Sequence, residues 1–125
     1  MSEIIFTEKA PSPNGHYSQA IEHNGLVYVS GILAIKPGKK EIVRGSIGDE
    51  ARQIFENFAA IIEAAETVKE KTLKVTVYLS DISLWDEVNE IYSNFFGEHR
   101  PARAIVPINK LHFDLNMEIE AIVAK

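Results

Sequence analysis

The sequence predicts an α+β fold in which two helices cover one face of a single sheet. Two segments, near residues 46–66 and 84–96, carry apolar residues at the spacing i, i+4, i+7 of an amphipathic helix. The remaining segments alternate or are rich in β-branched residues, which gives the order β-β-β-α-β-α-β-β. No linker or repeat divides the 125 residues, a length typical of one domain, so we expect a single domain over residues 1–125.

Three strands are predicted before the first helix: residues 3–7, 17–22 and 26–30. The last two are joined by Asn24-Gly25, a strong signal for a two-residue hairpin. Residues 8–16 contain two prolines and a glycine and predict a loop. Residues 31–35 are expected to prolong the third strand, and residues 41–43 to pair back on it.

The first helix is expected to begin at Ser46 and to run for about 20 residues. Asp49 and Glu50 fall in its first turn, where negative charge suits the helix dipole. Eight apolar residues share the face predicted to be buried: Ile47, Ala51, Ile54, Phe55, Phe58, Ile61, Ile62 and Ala65.

A second helix is predicted over residues 84–96, with Ser83 as its cap and Gly97 as its stop. Its apolar face consists of Trp85, Val88, Ile91, Tyr92 and Phe95.

The other strands are residues 72–80, 102–108 and 116–124. The first should point Leu73, Val75, Val77 and Leu79 to the core. The last should bury Met117, Ile119, Ala121 and Val123 and present Glu118, Glu120 and Ile122 on the opposite face. A sheet face of such mixed character favours contact with a partner subunit over contact with water alone.

Composition excludes several classes of function. Eighteen acidic against thirteen basic residues give a net charge of −5, which argues against a nucleic-acid-binding protein. The absence of cysteine excludes disulfides and thiolate sites and fits a cytoplasmic protein. No stretch approaches the roughly 18 apolar residues of a membrane span, and no signal peptide is recognised, so no membrane association is expected.

The sequence offers no metal or cofactor motif. Its four histidines are expected to be solvated, since none forms a ligand pair of known spacing: His16, His23, His99 and His112. No G-x-S-x-G, G-x-G-x-x-G or phosphate-binding loop is present, so no metal and no nucleotide cofactor is predicted.

Arg103 is the candidate that needs most explanation, because it lies in an otherwise small and apolar run, residues 101–106. A guanidinium in such a strand needs a partner. That partner is either Glu118 or Glu120 in a structural ion pair, or the carboxylate of a ligand, which the planar group can hold through two hydrogen bonds. Glu118 and Glu120 are in turn either solvated glutamates or, if partly buried, candidates for a general base. Ser30-Gly31 is either a plain strand end or a ligand contact.

Several segments together resemble the RidA/YjgF/YER057c/UK114 family of reactive-intermediate (enamine/imine) deaminases. The resemblance runs from about residue 8 to residue 124, in the family's order and spacing, and is carried by Asn14-Gly15-His16-Tyr17-Ser18-Gln19-Ala20, Val29-Ser30-Gly31, Asn57, Asn89 with Tyr92 and Phe95-Phe96, Pro101-Ala102-Arg103 and Glu118-Ile119-Glu120-Ala121-Ile122.

The resemblance implies a chorismate-mutase-like fold of the bacillus type, with a mixed sheet and a homotrimer whose sheets form a central barrel. It implies clefts between subunits that bind small 2-imino or 2-oxo acids. The expected reaction is that of a 2-iminobutanoate/2-iminopropanoate deaminase, which hydrolyses 2-aminoacrylate and related imines to 2-oxo acids and ammonia without cofactor or metal.

Seven residues match positions with a role in the family. Arg103 corresponds to the arginine that binds the substrate carboxylate, and Glu118 to the residue that positions or activates water. Substrate-binding positions are matched by Tyr17, Ser30, Gly31, Asn89 and Ile105. Tyr17 is expected to reach a neighbouring subunit's cleft, and Ile105 to contribute its backbone N–H, since many members have cysteine there.

The sequence departs from the family at further positions. His16 replaces a proline, Ile32 a glutamine, and Glu66 a glycine that commonly follows the first helix. These changes leave the substrate range open.

Two other functions remain to be distinguished. One is a trimer that binds small carboxylates without turnover. The other is an endoribonuclease or translation inhibitor, against which the negative net charge and the lack of an Arg/Lys run argue.

Overall fold

The computed structural model describes residues 2–125. Its helices and strands follow the predicted order: β1 (Glu3–Ile5), β2 (Ala20–His23), β3 (Leu26–Ile32), α1 (Ile47–Ala64), β4 (Thr72–Leu79), α2 (Trp85–Phe96), β5 (Ala102–Pro107) and β6 (Met117–Ala124). The predicted α+β class is confirmed.

All six strands form one sheet in the order β1-β2-β3-β6-β4-β5. Strand β5 runs parallel to β4 and every other pairing is antiparallel, so the sheet is mixed. The β2–β3 hairpin turns at Asn24-Gly25, where both residues have positive φ (52° and 79°) as a type I′ turn requires. Residues Ile35 and Ile42 form an isolated bridge, which confirms the predicted pairing after the turn.

Helix α1 begins as the sequence predicts. The Ser46 hydroxyl accepts a hydrogen bond from the Asp49 N–H at 3.1 Å. All eight residues of its predicted apolar face are buried against the sheet. The helix also buries Asn57, whose side-chain amide donates to the carbonyl oxygen of Ile35 at 2.8 Å. The hydrogen bond ties the segment after β3 to the helix.

The cap predicted for helix α2 is wrong. It begins at Trp85 after a 3₁₀ turn, and its N-cap Leu84 provides no side-chain bond. Ser83 is therefore not the cap: its N–H donates to the carboxylate of Asp81 at 2.9 Å. Gly97 ends the helix with φ of 65°, as predicted.

The prediction of which β4 side chains face the core is wrong at the first residues of the strand. The register with β6 shifts between Thr72 and Lys74, so Thr72 is buried and Leu73 is 47% exposed. A one-residue shift moves a side chain to the other face of the sheet. The boundary of β2 differs as well, because pairing begins at Ala20 and not at Tyr17.

The sheet face opposite the helices carries the mixed residues predicted for it. Glu118 pairs with Tyr78, and Glu120 with Thr76, across β6 and β4. Among residues 2–125 no element covers this face at Tyr28, which is 44% exposed.

Two further features bear on predictions from the sequence. Glu66, which stands where the family resemblance predicts glycine, has φ of 62°, the left-handed conformation that glycine adopts without strain. Over residues 2–125, neither helix combines the length and apolar character needed to cross a lipid bilayer.

Candidate active site

A cavity of about 750 Å³ opens between β3, β6, helix α1 and the loop before β2. Four of the predicted site residues line it: Tyr17, Ser30, Gly31 and Glu118. They come from three separate segments of the chain, so the fold brings together residues far apart in sequence.

A β-bulge places Ser30 and Gly31 beside Glu118. The register between β3 and β6 shifts between Val29 and Ile32, and bulges of this kind often redirect residues next to active sites. A Cβ atom built on Gly31 would lie 2.6 Å from Oε2 of Glu118. Glycine at residue 31 therefore leaves the space that the Glu118 carboxyl group occupies.

The pKa of Glu118 is raised. Burial of the carboxyl group is the largest cause and the negative charge of Glu120 adds to it, whereas the positive charge of His112 opposes the shift. The carboxyl group of Glu118 forms no hydrogen bond with another side chain or backbone N–H of residues 2–125, and it forms no ion pair there. An unpartnered carboxyl of this kind in a cavity is a candidate proton acceptor near neutral pH.

Glu120, the other glutamate of the strand, has a different environment. It accepts a hydrogen bond of 2.5 Å from the phenol of Tyr78. That bond is the largest cause of the raised pKa of Tyr78. Because Glu120 is exposed and paired, it is the less suitable of the two as a general base.

Ser30 and Tyr17 are placed by local hydrogen bonds. The Ser30 hydroxyl donates to the carbonyl oxygen of Ser18, and the Ser30 N–H donates to that of Gln19. Gln19 is itself buried, and its amide holds the loop before β2 through the carbonyl oxygens of Thr7 and Pro11. Tyr17 stands at the rim of the cavity and is 53% exposed.

Arg103 and Asn89 form a second group outside this cavity. Nη1 of Arg103 donates to Oδ1 of Asn89 at 3.2 Å. The guanidinium carbon lies 4.5 Å from the ring centroid of Trp85 and 5.0 Å from that of Tyr92. All three partners belong to helix α2, which therefore holds the arginine.

The structural ion pair considered for Arg103 does not form. Arg103 has no carboxylate within ion-pair distance among residues 2–125, and its side chain is exposed at the sheet edge instead of buried within a strand. Its strand position explains this. Arg103 pairs with Val75, whose side chain faces the helices, whereas Glu118 pairs with Tyr78 on the opposite face. The two predicted catalytic residues of one chain thus lie on different faces of its sheet.

Ile105 also belongs to the Arg103 group by position. Its side chain packs against the core on the helix side, so only its backbone is available to a ligand. The Ile108 N–H donates to the carbonyl oxygen of Leu79 on β4. Backbone groups alternate between the edges of a strand, so the Ile105 N–H faces away from β4, toward the open edge. Pro107, which has no N–H, occupies another outward position, as expected in an edge strand.

Two residues of the cavity wall were not predicted from the sequence. His112 and Phe113 line it, although His112 was expected to be a solvated surface histidine. Phe113 has φ of 63°, which is unusual for an aromatic residue, and its carbonyl oxygen accepts from Arg44 Nη1 at 2.5 Å. The only available signal was that residues 109–114 lead directly into the strand that carries Glu118.

A buried network fixes the start of that strand. Glu50 is 3% exposed, and its two carboxyl oxygens accept from the N–H and side-chain amide of Asn116 at 2.8 and 3.0 Å. Asn116 also accepts from the hydroxyl of Ser80 at 2.7 Å. Helix α1, the end of β4 and the start of β6 are thereby joined two residues before Glu118. The sequence predicted only a favourable dipole interaction for Glu50.

Within residues 2–125, no three His, Cys, Asp or Glu side chains lie close enough together to hold a metal ion.

Comparison with known proteins identifies the family of the chain. The sequence model of the Endoribonuclease L-PSP family matches residues 7–125. A RutC family protein of Pyrococcus horikoshii is 46% identical over 100% of this chain and 99% of its own length. The 2-iminobutanoate/2-iminopropanoate deaminase of Rattus norvegicus is 37% identical over 98% of this chain and 90% of its own.

A solved structure of a related protein has the same fold. The crystal structure of E. coli TdcF with bound serine has a TM-score of 0.93 and 35% identity, and covers 98% of each chain. Family model, relatives and fold all agree over nearly the whole length, so the chain belongs to the Endoribonuclease L-PSP family, also known as RidA/YjgF.

Proposed function

We propose that the protein is a cofactor-independent deaminase that hydrolyses 2-imino acids, including 2-aminoacrylate and its homologues, to 2-oxo acids and ammonia. The observation that carries the proposal is the unpartnered Glu118 carboxyl group, with its raised pKa, against Gly31 in the cavity. The rat relative named as a 2-iminobutanoate/2-iminopropanoate deaminase supports the same reaction.

The reaction requires little from the protein, because an iminium carbon is already electrophilic. Water oxygen bonds to that carbon while Glu118 accepts a proton from the water. The protonated Glu118 carboxyl group then returns its proton to the amino nitrogen of the carbinolamine. The C–N bond breaks and ammonia leaves. The remaining hydroxyl gives up its proton to become the carbonyl of the 2-oxo acid, and ammonia takes up that proton as ammonium.

Arg103 is proposed to bind the carboxylate of the substrate. Its guanidinium uses one hydrogen bond, to Asn89, and has no carboxylate partner within the described chain. Two parallel hydrogen bonds to a carboxylate would orient the imine for attack. The outward N–H of Ile105 on the same edge strand is available to the substrate as well.

The site is proposed to be completed between subunits of a homotrimer. In one chain, Glu118 and Arg103 lie on opposite faces of the sheet, and Arg103 does not line the Glu118 cavity. The edge position of β5 allows its Arg103 to reach the cavity of a neighbouring copy. The uncovered sheet face, with exposed Tyr28, is available for the same assembly.

Arg103→Ala should lower kcat/KM about 30- to 1000-fold, because losing two charge-assisted hydrogen bonds costs roughly 2–4 kcal/mol. A pyridoxal-phosphate-dependent dehydratase supplies 2-aminoacrylate, and 2-oxo acid formation is followed above the spontaneous rate. Arg103→Lys is the matched control that keeps the charge and loses the planar fork. Equal rates for wild type and Arg103→Ala would contradict the proposed role.

The shared site makes a second experiment possible. Arg103→Ala and Glu118→Gln chains, each of low activity alone, are unfolded and refolded together in equal amounts. If each cleft takes Arg103 from one copy and Glu118 from the next, about one quarter of the clefts in random trimers will be intact. Recovery of activity toward that level is expected. Mixtures as inactive as their parents would place both residues in one chain's site.

The name of the family model includes an endoribonuclease, but the net charge of −5 gives no support to that activity in this chain. Binding of a small carboxylate without turnover is distinguished by Glu118→Gln. In that case the variant would bind a 2-oxo acid as wild type does, and neither protein would accelerate ammonia release.

A further inference from the structure

The guanidinium group of Arg103 packs against Trp85, a residue outside the predicted set of site residues. Trp85 is the only tryptophan of the chain. The Arg103 guanidinium carbon lies 4.5 Å from its ring centroid, within the range of a cation–π interaction. Tyr92, seven residues and about two helical turns further along α2, adds a second aromatic ring at 5.0 Å.

These two rings determine how the guanidinium can be oriented. A guanidinium group has five N–H donors in one plane. Asn89 uses one of them at 3.2 Å, and no carboxylate within residues 2–125 engages another. An arginine at an exposed strand edge would otherwise sample many rotamers, because its long side chain has several rotatable bonds. The aromatic contacts restrict that freedom, and the donors that Asn89 does not use form no other hydrogen bond within residues 2–125.

We propose that Trp85 is a positioning residue for carboxylate binding, and that its fluorescence reports occupation of the Arg103 site. The proposal rests on the proposed function in one respect, namely that Arg103 binds the substrate carboxylate. A carboxylate that approaches Arg103 places a negative charge close to the indole. The emission of Trp85 should therefore change in intensity or wavelength on binding.

The experiment measures binding of 2-oxobutanoate, a stable product analogue, by calorimetry and by tryptophan emission. Trp85→Leu should weaken binding about 2- to 30-fold, which corresponds to a cation–π interaction of roughly 0.5–2 kcal/mol. Trp85→Phe keeps an aromatic face and should restore most of the affinity. In the deamination assay the loss should appear mainly in KM, because the interaction is made with bound substrate throughout.

A double-mutant cycle separates positioning from a general effect on folding. If Trp85 acts through Arg103, Trp85→Leu should cause no further loss of affinity in an Arg103→Ala background. Equal losses in both backgrounds would overturn the proposal. Thermal unfolding of each variant is the stability control.

Emission gives a test that needs no substitution of Trp85. Saturating wild type with 2-oxobutanoate should change the emission, and Arg103→Ala at saturating ligand should not reproduce that change. Unchanged wild-type emission at saturation would overturn the proposal. If Arg103→Ala itself binds as tightly as wild type, the anchor role of Arg103 fails. If Arg103→Ala weakens binding and Trp85→Leu does not, only the role of Trp85 fails.

Discussion

Glu118→Gln is expected to lower kcat about 10²- to 10⁴-fold, the usual contribution of a general base. Glutamine has nearly the same shape, so it fits beside Gly31 and preserves the cavity. Binding of 2-oxobutanoate should change little. The matched control is Glu120→Gln on the same strand, whose carboxylate is exposed and bonded to Tyr78. That variant should retain most of the activity.

The pH dependence follows from the raised pKa of Glu118. The base acts in its ionised form, so kcat/KM should fall as pH decreases through the raised pKa. The fall should begin at higher pH than an ordinary glutamate, with a pKa of 4.5, would give. A loss of activity centred near that ordinary value would contradict the assignment.

The raised pKa of Glu118 also predicts that this residue lowers the stability of the fold near neutral pH. The folded protein binds the Glu118 proton more tightly than the unfolded chain, so this group destabilises the fold as pH rises from the ordinary pKa through the raised one. Glu118→Gln should therefore be more stable than wild type at pH 7. The advantage should disappear below pH 4.5, where the carboxyl is protonated in both states. Urea unfolding at both pH values measures the difference.

Glu50→Ala is expected to lower the free energy of unfolding by about 2–4 kcal/mol, because it leaves two donors of Asn116 without an acceptor. Glu50→Gln should recover most of this loss. Its side-chain oxygen can still accept from the Asn116 N–H. The Asn116 amide must then turn over and donate to Ser80, whose hydroxyl can accept as well as donate.

Chemical denaturation of the three proteins measures these differences. Because Asn116 lies two residues before Glu118, Glu50→Ala should also reduce deamination at temperatures where the variant is fully folded. A variant as stable as wild type would show that the buried carboxyl group does not hold the start of β6.

The sequence predicted the elements well because their signals are local. The α1 face from Ile47 to Ala65 repeats with the helical period, and Asn24-Gly25 favours only a few turn geometries. Predictions failed where a neighbouring element decided the outcome. Leu73 alternates correctly within its own strand, but a bulge against β6 moves it to the exposed face. Ser83 satisfies a capping pattern, but its own N–H donates to the carboxylate of Asp81, and it does not cap helix α2.

The sequence indicated individual candidate site residues, but their spacing did not predict how they are arranged within one chain. Spacing left open whether Arg103 pairs with Glu118, because pairing depends on which side of the sheet each side chain faces. The strand register between β4, β5 and β6 decides this, and register is a long-range property. Similarly, nothing local in the sequence links Glu50 to Asn116, 66 residues away.

The proposed sharing of one active centre between copies, inferred from the separation of Glu118 and Arg103 on two faces of the sheet, has a consequence for enzyme assays. An active centre shared between copies obeys mass action: its abundance depends on the association equilibrium of the chains and not only on their total amount. Specific activity would then fall on dilution below the dissociation constant of the assembly, although every chain remained folded. Rates measured at very low enzyme concentration would understate the turnover of the intact assembly.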